Sequence, residues 1–144
     1  MARAKFYDPQ AVAVTAFGAL MQGFAQDTMI KIENMADAFV SEVGVDGEVA
    51  RSKVSDRRVK VTISLLQTSQ SNAVLSAQLV LDQAAPNGAG VGMFRMEDIQ
   101  GGTIVQGEQA WITRWPDAEM ARSAKAREWV IEIADATRFE GGNS

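Results

Sequence analysis

Residues 57–66, Arg-Arg-Val-Lys-Val-Thr-Ile-Ser-Leu-Leu, alternate strictly, and this alternation constrains the fold more than any other stretch. Val59, Val61, Ile63 and Leu65 point one way, and Arg58, Lys60, Thr62 and Ser64 the other. Period two in an apolar/polar pattern specifies a half-buried strand, because successive side chains leave opposite faces of the pleat. Ile30 and Ile32 alternate with Lys31 and Glu33 in the same way. Trp129, Ile131 and Ile133 alternate with Glu128 and Glu132. A chain with three such segments must build a sheet with one apolar face and cover that face with something.

The rest of the sequence supplies further strands and one cover. Residues 11–17 are small and β-branched, then break at Gly18. Residues 38–44 and 48–55 flank Asp46-Gly47, a hairpin signal, since glycine accepts the positive φ of a tight turn. Between the strand at 57–66 and the strand-like region 89–116 lies the amphipathic segment 72–83, with Leu75 and Leu79 four apart and Val74 and Leu81 beside them. Ser69, Ser71 or Asn72 can cap its start, and Pro86 with Asn87-Gly88 closes it. Gly101-Gly102 marks a hairpin turn, and in an unbroken strand Trp111 and Trp115 would share a face with Val105. The three tryptophans read mainly as core anchors, and residues 140–144 as a loose tail. The expectation is a mainly β fold of about six or seven strands, a β-sandwich or barrel with one flanking α-helix, formed by residues 1–144 as a single domain.

Composition narrows the function. The 144 residues contain no cysteine and no histidine, which removes disulfides, thiolate chemistry, the usual metal ligand and the usual general base. The formal charge of −4 has the wrong sign for a protein that grips nucleic acid. The first ten residues lack the apolar stretch of a secretory signal, so the expectation is a chain that stays in the cytoplasm where it is made until something larger carries it out. Glycines 88, 90 and 92 follow the helix, the reverse of the order a dinucleotide site needs, and read as a turn. Glu97, Asp98, Glu128 and Glu132 contain the residue type of a glycosidase pair but read as a solvated strand face. Arg51, Lys53, Arg57, Arg58 and Lys60 form a basic cluster interleaved with Asp46, Glu48 and Asp56. That mixture suits contact with another protein surface better than with nucleic acid.

The segment 44–78 carries a likeness. A Gly-x-Asp-Gly turn (Gly44, Asp46, Gly47), a charged arm, the alternating strand, the stretch Thr68 to Asn72 and the helix from Val74 to Leu81 follow one another in order. Together with the opening at 5–18, the middle at 81–92, Gln109 to Ile112 and the close at 137–143, this order resembles tail tube proteins of contractile-tailed bacteriophages. The resemblance implies a structural, non-enzymatic subunit related in fold to type VI secretion tube proteins. It implies a homo-hexameric ring, stacked into a hollow tube within the virion tail, with sheath, baseplate and terminator proteins as partners. DNA would be passing cargo, and no cofactor, metal, small-molecule substrate or membrane anchor is implied. A stacking hairpin at about 38–58 would use Asp46, Gly47 and Glu48 at its tip and Arg51, Lys53, Asp56 and Arg57 along its arm. The polar residues Thr62, Ser64, Gln106, Glu108, Glu128 and Glu132 would face the lumen, with carboxylates outnumbering bases. The alternative reading is another phage or secretion-system β-module, such as a tail terminator, baseplate or decoration protein. A carboxylate-pair enzyme stands behind both.

Overall fold

In the computed structural model, residues 8–25, 29–88, 90–123 and 125–142 are described. The order of elements is β1 (Val12–Ala16), β2 (Ala19–Leu20), β3 (Ile30–Asn34), β4 (Phe39–Val43), β5 (Val49–Lys53), β6 (Val59–Leu66), α1 (Ser71–Ala84), β7 (Gly92–Asp98), β8 (Thr103–Arg114), β9 (Ala126–Ile133) and β10 (Thr137–Phe139). The fold is mainly β with one helix, and every strand pairing is antiparallel. More strands form than the alternation showed, because β2 and β10 are too short to carry a period.

The main sheet runs β2-β1-β7-β8-β9-β6-β3, with β10 also on β8 and with β4-β5 standing apart. Its two ends meet through the chain that follows β2. The Met21 amide donates to the Val14 carbonyl on β1 at 2.8 Å, and Gly23 accepts from Leu66 at the end of β6 at 2.7 Å. Ala25 donates to Ser64 at 2.9 Å, and Phe24 bridges Leu65. The sheet is thereby rolled into a barrel, which leaves few raw edges. Val14, Val61, Ile63, Leu65, Phe94, Val105, Trp129, Ile131 and Ile133 fill the interior. Leu75 and Leu79 of α1 join the same cluster, so the helix covers the core from one side. Each such side chain, fully buried, is worth about 1.5–3 kcal/mol.

Two irregularities in β8 correct the expected register. The pairing of β7 with β8 shifts between Phe94↔Gly107 and Gly92↔Ala110, so Glu108 and Gln109 both bulge outward. The bulge changes the parity of the strand. Ala110 and Ile112 are inside and Trp111 is turned away from the face of Val105. Of the three tryptophans only Trp129 is buried, with half-exposed Trp115 tilted against it at a centroid distance of 6.1 Å. Gly107 packs close under Ile133, where a Cβ would collide with it.

The start of α1 is tied down differently from a simple cap. Gln70 occupies the cap position without a side-chain bond. Ser69 Oγ accepts from the Ser71 amide at 3.2 Å, and Ser71 Oγ accepts from the Gln22 amide at 2.9 Å. Asn72 is buried and reaches in two directions: its amide donates to the carbonyls of Leu66 at 2.8 Å and Ser69 at 3.1 Å, and its oxygen accepts from Trp129 Nε1 at 2.9 Å. These bonds weld the helix, the closing segment and β9 together. Gly23 belongs to the same joint: its φ is +73°, and a Cβ there would lie 2.7 Å from Ser69. Gly23→Ala combines a left-handed backbone with a clash, and is expected to cost about 2 kcal/mol, read as a lower urea midpoint at unchanged slope.

Two more expectations change. Asp98 is not on a solvated face: it is buried, and its carboxylate accepts from the amides of Gln100 at 3.2 Å and Gly101 at 3.1 Å to shape the β7–β8 turn. The C-terminal segment is held at least to Gly141, whose amide donates to Thr103 Oγ1 at 3.2 Å. Residues 143–144 of the expected loose tail lie outside the described residues.

Candidate functional site: the hairpin arm and the polar sheet face

Strands β4 and β5 pair in register from Phe39↔Lys53 to Val43↔Val49 and, among the described residues, pair with no third strand. Every residue of both is exposed. The tip is a compact turn. The Gly44 amide donates to the Glu48 carbonyl at 2.7 Å, the Gly47 amide to the Gly44 carbonyl at 2.9 Å, and Asp46 Oδ1 accepts from the Glu48 amide at 3.2 Å. Gly47 takes φ +87°, which explains the glycine. Register places Phe39, Ser41 and Val43 on one face with Val49, Arg51 and Lys53, and Val40, Glu42, Ala50 and Ser52 on the other. The Arg51 guanidinium sits 4.4 Å over the Phe39 ring. Phe39, Val40, Val43, Val45 and Val49 are all large apolar side chains left in solvent. A lone two-stranded hairpin is marginally stable in water, and one that exposes this much apolar surface is built to be covered.

Asp56 and Arg57, expected on the arm, anchor its root instead. Arg58 donates to Asp56 through Nε at 2.9 Å and a terminal nitrogen at 2.8 Å, and to Glu132 of β9 at 3.3 Å. The bonds from Arg58 hold the Asp56 carboxyl below its ordinary value, and the bonds to Asp56 push the Arg58 guanidinium further up. Arg57 lies 3.3 Å from Asp135. The root closes where the Val54 amide donates to the Ala38 carbonyl at 3.0 Å. The arm proper therefore carries Asp46, Gly47 and Glu48 at its tip and Arg51 and Lys53 along one face.

The polar face of the barrel collects most of the remaining candidates. Lys60 lies between Glu33 and Glu132, and Thr62 between Lys31 and Val130. Ser64 pairs with Glu128 but is buried, because Gly23, Ala25 and Met29 are hydrogen-bonded along that end of β6. Gln106 accepts from Arg95 at 2.7 Å, and Arg95 also pairs with Glu97 at 3.0 Å. Glu108 sits in the β8 bulge and lines a shallow polar cleft with Gln106, Gln109 and Asp135. The carboxylates are interleaved with cations: Glu33 has Lys31 at 3.6 Å and Glu132 has Arg58. Charge on this face is balanced more closely than alternation alone led one to expect. Among the described residues no cluster of three or more potential metal ligands forms.

Two features were missed in the sequence. The Asn72–Trp129 bond was invisible because it joins residues 57 apart. The outer side of α1 was legible: Ala73, Val74, Ala77, Val80, Leu81 and Ala84 fall on the arc opposite Leu75 and Leu79, and all are exposed. Val74 and Leu81 thus face solvent and do not extend the buried stripe.

Comparisons with known proteins agree with this architecture. A structural protein, ORF10, of Pseudomonas phage KPP10 is 28% identical over 131 residues, covering 91% of this chain and 76% of that protein. The cryo-EM structure of the anti-feeding prophage cap, described as a tube terminating cap, superposes with a TM-score of 0.60 at 8% identity. That likeness of fold covers 98% of this chain and 95% of the cap. The model of the bacteriophage PhiTE tail tube protein family matches residues 2–141, and the chain belongs to that family.

Proposed function

We propose that the chain is the repeating subunit of a contractile phage tail tube: six copies close into a ring, rings stack through the β4–β5 arm, and DNA passes through the lumen. The whole chain acts as one tail-tube domain, with the arm at about 38–58 as its stacking device. The observation that carries this reading is the arm itself, exposed along both strands, rich in apolar side chains and without a partner strand among the described residues. Membership of a tail tube family supports the assembly role. The polar sheet face with Thr62, Gln106, Glu108, Glu128 and Glu132 is the surface proposed to meet the lumen. Its mixed charge and the net charge of −4 leave passing DNA without a basic track to hold it. No chemistry is assigned to the chain. It acts in the virion tail after assembly in the host cytoplasm, beside sheath and baseplate proteins.

A terminator role is the second reading, favoured by the fold shared with a tube-terminating cap. The two differ in growth. A tube subunit presents complementary surfaces at both ends of its ring, and so polymerises without limit; a terminator stops at one ring. Size exclusion with light scattering, followed by negative-stain microscopy, is expected to give hexamers at micromolar concentration that extend into hollow fibres. Discrete rings that never extend identify a terminator. A monomer that stays single beside the other tail proteins overturns both readings.

A further inference from the structure

The outer face of α1 is unlike that of an ordinary surface helix. Val80 and Leu81 are 56% and 60% exposed, and Ala73, Ala77 and Ala84 continue the apolar arc between them. No charged residue stands on that arc; Gln78 and Gln83 lie on its flanks, and Asp82 falls on the opposite, inner side with Gly90 close against it. A helix apolar on both sides is one meant to be buried on both sides. The arm is another exposed apolar surface, with no third strand paired to it among the described residues.

The two surfaces fit in sign and in length. The last turn of α1 contains no basic residue, so the negative end of its dipole has no cation of its own to offset it. The arm face that bears Phe39, Val43 and Val49 also bears Arg51 and Lys53, neither in a salt bridge among the described residues. Strands of five residues span about 17 Å, against about 21 Å for a helix of 14. We propose that the outer face of α1 receives the β4–β5 arm of a second copy of this chain, with Arg51 and Lys53 over the C-terminal end of the helix and the tip toward Val74. This rests on the reading of the chain as a self-assembling subunit, and it names the surface on which the arm lands.

Because the chain lacks cysteine, the pairing can be read by disulfide trapping in a clean background. Val49→Cys with Ala77→Cys is compared with Val49→Cys with Leu20→Cys, which reports on the other apolar groove, beside Met21, Phe24 and Met29. After mild oxidation of assembled protein, the first variant is expected to give a ladder of covalent multimers on a non-reducing gel, and the second to stay monomeric. Leu81→Lys, which sets a third cation against Arg51 and Lys53, is expected to abolish most sedimentable polymer while leaving the circular dichroism spectrum unchanged. Fibres with no ladder from the Ala77 variant, a ladder from the Leu20 variant, or normal fibres from Leu81→Lys would each overturn the docking. If the unsubstituted protein forms no polymer at all, the assembly reading fails first and the docking with it.

Discussion

Excising the arm, by joining Ala38 to Val54 through an Asn-Gly turn, is expected to abolish fibres and leave the body folded. The Ala38 carbonyl and Val54 amide are already hydrogen-bonded at 3.0 Å, so a two-residue turn spans the gap without moving the root. Nothing between Phe39 and Lys53 is buried, and the core cluster draws no residue from the arm. Loss of a solvated surface changes stability by about ±0.5 kcal/mol, within the error of a thermal melt. Assembly should respond in full, because the deleted surface is the one proposed to hold ring to ring. Circular dichroism melting and a sedimentation assay give the two readouts. A fall of many degrees in the melting temperature would mean that the arm supports its own subunit. Fibres of normal length would move the stacking contact elsewhere.

Asn72→Ala is expected to have the largest effect on the subunit itself. Asn72 has four partners: the Leu66, Gln67 and Ser69 carbonyls and Trp129 Nε1. Alanine leaves the indole N–H and the Leu66 carbonyl without that bond, and each buried group so orphaned costs about 1–3 kcal/mol. A total near 3 kcal/mol lowers the melting temperature by roughly 10 °C in a domain of this size. Asn72→Asp separates the parts of the joint, since a carboxylate still accepts from Trp129 but cannot donate to the carbonyls. It should melt below the unsubstituted protein. Tryptophan fluorescence checks the site: Trp129 emission should shift more in the alanine variant than in the aspartate. Melting at the unsubstituted temperature would show that water replaces the amide at no cost.

The sequence showed most of what local chemistry dictates. β6 and β9 were legible because apolar residues recur at every second position, Val59 to Leu65 and Trp129 to Ile133, against one buried face. The arm was legible from its Asp46-Gly47 turn, where φ at Gly47 demands glycine. Three things lay beyond a local reading. The β8 bulge at Glu108 and Gln109 depends on how β7 pairs with its partner, and a single added residue inverted the expected face of Trp111. Asp98 has the composition of a surface carboxylate, and only the turn amides around it explain its burial. Barrel closure by residues 21–25 has no period at all, since the segment serves β1 with some atoms and β6 with others. Of the candidate site, the tip and Arg51 and Lys53 stand on the arm as the sequence placed them. Asp56 and Arg57 do not, because ion pairs to their own body claim them first.

An arm without a core also bears on how a polymer begins. Two free subunits that meet must each order a marginal hairpin at the moment of contact, and a single docking event gives little in return for that lost entropy. In the proposed assembly a finished ring would offer several receptors held at fixed spacing, so that after one arm landed the rest would bind at high effective concentration. Growth from an existing end is then fast, and spontaneous nucleation rare. On the proposed assembly such a subunit would polymerise by itself only after a lag, a preassembled platform would remove that lag, and the number of fibres would then follow the number of platforms rather than the amount of subunit.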